Sequence, residues 1–278
     1  MGLWTRKQQF PIYRCRACGN GFLPDDAIPA DLEALYRPEY FSGGVETGYP
    51  AYLQDARIIE RNFAARLARL ESHRAPGRLL DVGAAYGICL KVARARGWRS
   101  MGVEIAAECA SAAERFAGVP VVAGDFLAVD LAGPFDAITM FDVLEHFRDP
   151  GACVARALAL LAPGGVLLIE TGDLGSWWAR MLGDAWYFLD PPQHLSYFTA
   201  RGLLRFLEGR GFAPPDRPER AGRWVSLANV AFKLSHHAPT GALRRLAGRV
   251  AGAAPRGALY LNFGDAMLVV ARRPPSPS

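Results

Sequence analysis

The stretch that most constrains this chain reads Leu79-Leu80-Asp81-Val82-Gly83-Ala84-Ala85-Tyr86-Gly87, continues through a helical pattern to about Arg96, and closes on Met101-Gly102-Val103-Glu104. A short apolar run ending in an acid, a turn of small residues, a helix and a second run ending in an acid make half of a nucleotide-binding βαβ unit. The turn must be small because a ligand presses against its backbone. A dinucleotide site would need G-x-G-x-x-G, with amides and a helix N-terminus facing a pyrophosphate. Here Ala85 holds the third position and Ile88 the sixth, so that fingerprint fails.

What remains, D-x-G-x-A-x-G with Glu104 at the end of the next strand, suits a ligand without phosphates. Close backbone approach is needed, Asp81 can favour a cationic aminoalkyl end, and Glu104 can accept both ribose hydroxyls. S-adenosylmethionine is such a ligand. Taken alone, the loop also suits a purely structural glycine turn.

Three further signals follow in the right order. Val119-Pro120-Val121-Val122 reads as a third strand, and Gly124-Asp125-Phe126 after it offers an acid for an adenine amino group beside an apolar ring. Phe135 to Asp142 reads as a fourth strand. Asp149-Pro150 then starts a helix, with a capping acid and a pre-set φ, and Leu161-Ala162-Pro163-Gly164-Gly165 stops it before a fifth strand, Val166 to Thr171. A capped helix is expected from Thr199 to Arg210, a sixth strand near Phe212, and a last strand from Asp265 to Arg272.

With these residues in place, the stretch from about Leu79 to Phe212 resembles the class I S-adenosylmethionine-dependent methyltransferases, in the branch carrying Asp142-Val143-Leu144-Glu145-His146 after strand four. Ubiquinone-pathway O-methyltransferases share this pattern. The resemblance implies a Rossmann-like, doubly wound α/β fold: seven mostly parallel strands with an antiparallel last strand, carrying helical and aromatic insertions. It also implies cofactor contacts at Asp81, Gly83, Ala85, Gly87, Glu104, Asp125, Phe126 and Phe141. Ala84-Ala85 stands where Cys-Gly is more usual, which leaves cofactor affinity open.

Composition fits a globular enzyme. The chain has 278 residues, 51% hydrophobic and 21% charged, enough to bury a full α/β core. It lacks an apolar run of membrane-spanning length and an N-terminal secretory stretch, so a cytoplasmic location is the expectation. Five cysteines, three of them in helical patterns, do not suggest a disulfide framework. A net charge of +5 comes from arginine-rich composition and selects no nucleic-acid or membrane partner.

We divide the chain into residues 1–76, a Cys-x-x-Cys knuckle and cofactor-covering segment; 77–273, the core, with insertions at about 174–198 and 222–255; and a disordered tail, 274–278. Cys15 and Cys18 form one knuckle of a zinc ribbon, and tetrahedral zinc needs four ligands. The knuckle is therefore expected not to be a complete zinc site in one chain. Aromatic residues between Tyr36 and Tyr52 either cover the cofactor or pack on the sheet. Leu53, Ala56, Ile59, Phe63, Leu67 and Leu70 recur at helical spacing, with arginines on the other face. Trp177, Trp178, Trp186 and Tyr197, in the densest aromatic stretch, are expected to wall a substrate pocket. The 222–255 insertion reads as a lid, an oligomer contact such as a homodimer face, a membrane-surface helix or a solvated helix.

Methyl transfer is an in-line displacement, so the protein must hold the acceptor close, aligned and deprotonated. Asp142, Glu145, His146 and His194 are placed at that end. The resemblance implies a divalent cation held by an acid-x-x-Glu-His cluster. The alternative towards which the residues themselves lean is a metal-free general base at His146 or His194. Glu145 and His146 also suit a plain bracing role. The expected reaction is methylation of a small molecule, at oxygen first. RNA methylation and a non-catalytic S-adenosylmethionine-binding role are the competing readings, and nothing here forms an aromatic and basic RNA platform.

Overall fold

A computed structural model describes residues 1–31, 55–227 and 257–276. The aromatic segment from Tyr36 to Tyr52, Leu53 of the expected helical stripe, most of the 222–255 insertion with its helical patterns and the last two residues of the tail lie outside these; the described start of that insertion is a strand.

Three strands open the chain: β1 (Gly2–Lys7), β2 (Phe10–Arg14) and β3 (Gly21–Phe22). After α1 (Ala56–Glu71) come β4 (Arg78–Val82), α2 (Ile88–Ala95), β5 (Arg99–Glu104), α3 (Ala107–Ala117), β6 (Val121–Ala123) and β7 (Phe135–Phe141). Then follow α4 (Pro150–Leu160), β8 (Leu161–Gly172), α5 (Trp177–Leu182), β9 (Ser196–Tyr197) and α6 (Ala200–Glu208). The described chain ends with β10 (Glu219–Arg220), β11 (Arg223–Ser226), β12 (Ala258–Leu261) and β13 (Ala266–Arg272).

The main sheet has seven strands in the order β10-β13-β8-β7-β4-β5-β6. All run parallel except β13, which is antiparallel to both neighbours. This is the expected architecture. Its strands are near-continuous apolar runs because helices cover both faces. Leu80, Ile138, Leu167 and Ile169 point to the face closed by α4 and α6, with Leu203 and Leu207. Leu79, Ala137, Val166 and Leu168 point to the other, against Leu67 and Leu70 of α1 and Trp98. The alternation is the period-two consequence of the pleat.

Two boundaries differ from expectation. Leu161 already pairs with Phe135, the chain then loops out through Gly164 at φ 70°, and pairing resumes at Val166 with Ala137. The sixth strand starts at Glu219, because Pro214, Pro215 and Pro218 have no N–H to give a ladder; near Phe212 only Ala213 bridges to Arg272.

A second sheet of four strands, β1-β2-β3-β9, joins the N-terminal strands to the aromatic insertion. Its core holds Ile12, Leu23, Leu174, Trp186, Phe188, Leu195 and Tyr197. The Cys15–Cys18 turn is tied down from both ends. Gly19 N–H donates to the Cys15 carbonyl at 2.9 Å, and the Thr199 hydroxyl donates to the Cys18 carbonyl at 3.0 Å while capping α6 through Gly202 N–H. Backbone amides of Cys18 and Ala17 hold the Cys15 thiol below the usual range. No helix among the described residues is long and apolar enough to cross a membrane.

The turn after β4 carries three left-handed residues, Gly83 (φ 74°), Ala85 (φ 45°) and Gly87 (φ 79°). Alanine there costs about 1–2 kcal/mol that glycine does not. Ala85→Gly is expected to stabilise the protein by about 1 kcal/mol after the entropy of a freer unfolded chain is set against it. Thermal unfolding checks this: a rise of about 2–4 °C is expected, and an unchanged or lower midpoint contradicts it.

Candidate functional site

A cavity of about 890 Å³ lies over the carboxyl ends of β4, β5 and β7, the edge at which open α/β sheets bind ligands. Asp81, Gly83, Ala85, Glu104, Asp125, Phe126, Phe141, Asp142 and His146 all line it.

Each carboxylate is held differently. Glu104, at the end of β5, is buried and accepts from the Ala85 amide at 2.8 Å and the Ala106 amide at 3.1 Å. Those donors fix the carboxylate and leave lone pairs for a ligand diol. Asp81 is buried at the end of β4 and accepts from the Thr139 hydroxyl at 2.6 Å. Burial pushes its pKa up to about 7 against the pull of Thr139 and Cys89, with the Glu104 charge adding to the rise. Asp125 is fixed by the Leu127 amide at 2.9 Å, beside the buried Phe126 ring. The loop backbone lies close to the turn that follows β7: a methyl group on Gly83 would stand 2.5 Å from Val143. A cationic end, a ribose and a flat base therefore each find matching chemistry, and the residues fit S-adenosylmethionine.

Gly87 does not line the cavity. It starts α2 and packs against α3, where a Cβ would meet the Ala113 carbonyl at 2.8 Å. Its glycine is required for helix packing.

Beyond Phe141 the chain turns sharply at Asp142 (φ 53°) into a single 3-10 turn, Leu144–His146. That turn brings Glu145 and His146 against His194. One donor atom from each lies within 4.8 Å of the others, the only such group of three among the described residues. The two imidazoles meet edge to face at 4.7 Å. His194 Nδ1 lies 2.7 Å from the Phe188 carbonyl and His146 Nδ1 lies 2.8 Å from that of Gln193. Carbonyl partners of this kind set the tautomer of metal-binding histidines.

Burial lowers the His146 pKa to about 4 and that of His194 well below its usual value. Glu145 is fully buried; its own backbone amide and the Thr171 hydroxyl lie beside its carboxylate, but neither oxygen makes a hydrogen bond of normal geometry. Burial first, then the Asp142 charge, pushes its pKa up. A buried carboxylate with weak partners of its own, beside two imidazoles, is a donor set that suits a divalent cation. The Cys15–Cys18 turn, by contrast, gains no third ligand among the described residues.

The four expected substrate aromatics are not in the cavity wall. Trp186 and Tyr197 are fully buried in the second core, where the Trp186 indole donates to Asp265 at 3.0 Å. Trp177 is 65% exposed and Trp178 packs between it and Phe263. The N-terminal sheet, and not the cavity, takes up Trp186 and Tyr197.

Residues not foreseen supply that wall instead: Asn62, Phe63 and Arg66 of α1, Glu170 of β8, and Arg223 and Trp224 of β11. Arg66 is buried and pairs bidentately with Glu170, Nε to Oε2 at 2.5 Å and Nη2 to Oε1 at 2.8 Å. A signal for this pair was present in the sequence. Arg66 falls on the apolar stripe between Phe63 and Leu70, and Glu170 interrupts an apolar strand.

The methyltransferase domain family model matches residues 54–214. A ubiquinone biosynthesis O-methyltransferase from Psychrobacter arcticus is 36% identical over 106 residues, 34% of this chain and 40% of that protein. One from Methylococcus capsulatus is 29% identical over 155 residues, 53% of this chain and 60% of that protein. The chain thus aligns with about two fifths to three fifths of these relatives' lengths. Among solved structures, Synechocystis magnesium protoporphyrin IX methyltransferase with bound S-adenosylhomocysteine superposes with TM-score 0.55 at 14% identity, covering 87% of this chain and 99% of that one. The Burkholderia thailandensis 1,6-didemethyltoxoflavin-N1-methyltransferase gives TM-score 0.51 at 22% identity, with coverage of 95% and 99%.

Asp81 yields a test of the cofactor end. With a pKa of about 7 it is about half protonated at neutral pH, and a nearby cation favours its charged form. Binding of S-adenosylmethionine at pH 7 is expected to release a fraction of a proton, and release should fade above about pH 8.5, where Asp81 is already ionised. Calorimetry in buffers of different ionisation enthalpy measures this. Equal proton release in wild type and Asp81→Asn would contradict it.

Proposed function

The chain belongs to the methyltransferase domain family, in the class I S-adenosylmethionine-dependent branch, and on that premise we propose that it methylates a hydroxyl oxygen of a small-molecule acceptor. The cofactor, when bound, supplies a methyl group activated on a sulfonium. In this reading Glu104 accepts the ribose hydroxyls, Asp81 pairs with the aminoalkyl end, and Asp125 accepts from the adenine amino group beside Phe126. Gly83 and Ala85 keep the loop backbone close, and Phe141 packs against Phe63 at 5.3 Å to close the far side.

Oxygen is favoured because a hydroxyl must lose its proton and the chain has a part equipped for that. The relatives above are also named O-methyltransferases. One observation carries this: the buried Glu145 carboxylate without a completed hydrogen bond, beside His146 and His194. Those three residues would hold a divalent cation, which would polarise an acceptor hydroxyl. His146 faces the cavity from this cluster, with Asp142 next to it. The chain's own part is to orient the acceptor against the loop of Gly83 and to exclude water. A metal-free base at His146 or His194 is the second route. Burial keeps both imidazoles neutral near pH 7 and makes them weak bases, which favours the cation.

Labelled methyl transfer from S-adenosylmethionine to a panel of phenols, catechols and hydroxylated sugars tests the reaction. We expect transfer that chelation removes and manganese, magnesium or zinc restores, with Glu145→Gln slower by about 10²–10⁴. A cation should also stabilise the wild type and not Glu145→Gln, by about 2.7 kcal/mol at a hundred times its Kd, read as a higher thermal midpoint. Activity surviving chelation and intact in Glu145→Gln would assign the step to the histidines alone. Label entering RNA only, or no acceptor at all despite tight cofactor binding, would overturn the reading.

A further inference from the structure

One side of the cavity is finished by β11, which pairs antiparallel with β12 and lies beyond residues 54–214 matched by the family model. The strand is fastened to α1. Asn62 acts as a strand partner to Trp224, donating to its carbonyl at 2.8 Å and accepting from its amide at 2.7 Å. The Arg61 guanidinium lies 3.4 Å from the centroid of the Trp224 ring, and the Ser226 hydroxyl donates to Asp55 at 2.7 Å. These ties hold the backbone of the neighbouring Arg223 in place while its side chain enters the cavity wall.

The two arginines of this wall are in different situations. Arg66 is committed to Glu170 through two short hydrogen bonds. Arg223 reaches the same carboxylate only at 3.5 Å and Asp142 at 3.8 Å, both longer than the 2.7–2.9 Å typical of charge-assisted hydrogen bonds. Its Nη2 is buried and makes no hydrogen bond. A guanidinium with an unused donor, on a braced strand in a cavity wall that Trp224 and Phe63 also line, is a receptor for a planar anion. Asp142 links it to the other half of the site: the residue neighbours Arg223 through its carboxylate and His146 through its backbone. Asp142, Glu170 and Asp265 already lie about Arg223, so the wall has room for at most a single added negative charge and disfavours a dianion.

We propose that Arg223 receives a carboxylate carried by the acceptor, so that the substrate is a flat hydroxylated acid and Arg223 determines specificity. This rests on the methyl-transfer reading above. It is tested by binding alone, so the two can fail separately. The protein saturated with S-adenosylhomocysteine is titrated with catechol, 3,4-dihydroxybenzoate and phenyl phosphate, with Trp fluorescence or calorimetry as the readout.

The expected result is that dihydroxybenzoate binds about tenfold or more tighter than catechol, as one charged hydrogen-bonded contact provides. Arg223→Gln should erase that ratio, and Arg223→Lys should keep part of it, with S-adenosylhomocysteine affinity as the check that each variant is folded. Equal binding of catechol and the acid, no binding of the acid, tighter binding of phenyl phosphate, or a ratio unchanged in Arg223→Gln would overturn the proposal. Preference for the acid with no turnover of any acceptor would instead support Arg223 and count against methyl transfer.

Discussion

Burying carboxylates at the carboxyl edge of a parallel sheet is the constraint on which this structure depends. Asp81, Glu104, Glu145 and Glu170 are each at most 5% exposed, and an unpaired buried charge costs several kcal/mol. Three of the four have found partners within the chain. Asp81 leans on the Thr139 hydroxyl, Glu104 on two backbone amides, and Glu170 on the fork of Arg66. Those pairings set where the Gly83 loop can run and why α1 lies across the sheet with an arginine on its buried stripe. Glu145 has only the Thr171 hydroxyl and its own amide nearby, neither in normal hydrogen-bond geometry, and that imbalance is why we place the chemistry there.

Much of the frame was legible because it follows from period and punctuation. Apolar runs ending in acids marked β4 and β5, Asp149-Pro150 marked the start of α4, and Thr199 caps α6 as its position suggested. Those signals are local. Cavity-lining acids and glycines were legible for the same reason, since residues at strand ends must lie at the sheet edge. Gly87 was the exception, because a glycine at a helix start answers equally to a ligand or to a neighbouring helix, and here α3 decided it.

The rest of the cavity wall was not legible, for a different physical reason. Aromatic density at Trp177 to Tyr197 says only that a large apolar area must be covered, not by what. The N-terminal strands cover Trp186 and Tyr197, an arrangement set by long-range pairing of β3 with β9. This part of the cavity wall is assembled from α1 and from β11, more than 150 residues later, joined through Asn62 and Trp224 at a separation of 162 positions. No periodicity reports such a contact. The buried Arg66–Glu170 pair did leave a trace, as charges standing where apolar residues belong.

The account's central claim is that Glu145, His146 and His194 form a cation site opening on the cofactor cavity. Pulsed electron paramagnetic resonance of the protein loaded with manganese(II) addresses it most directly, because nitrogen bound to the ion leaves its own couplings in the spectrum. The account predicts couplings from two imidazole nitrogens, one lost in His146→Ala and the other in His194→Ala. A spectrum of the fully hydrated ion, or nitrogen couplings that persist in both variants, would contradict it.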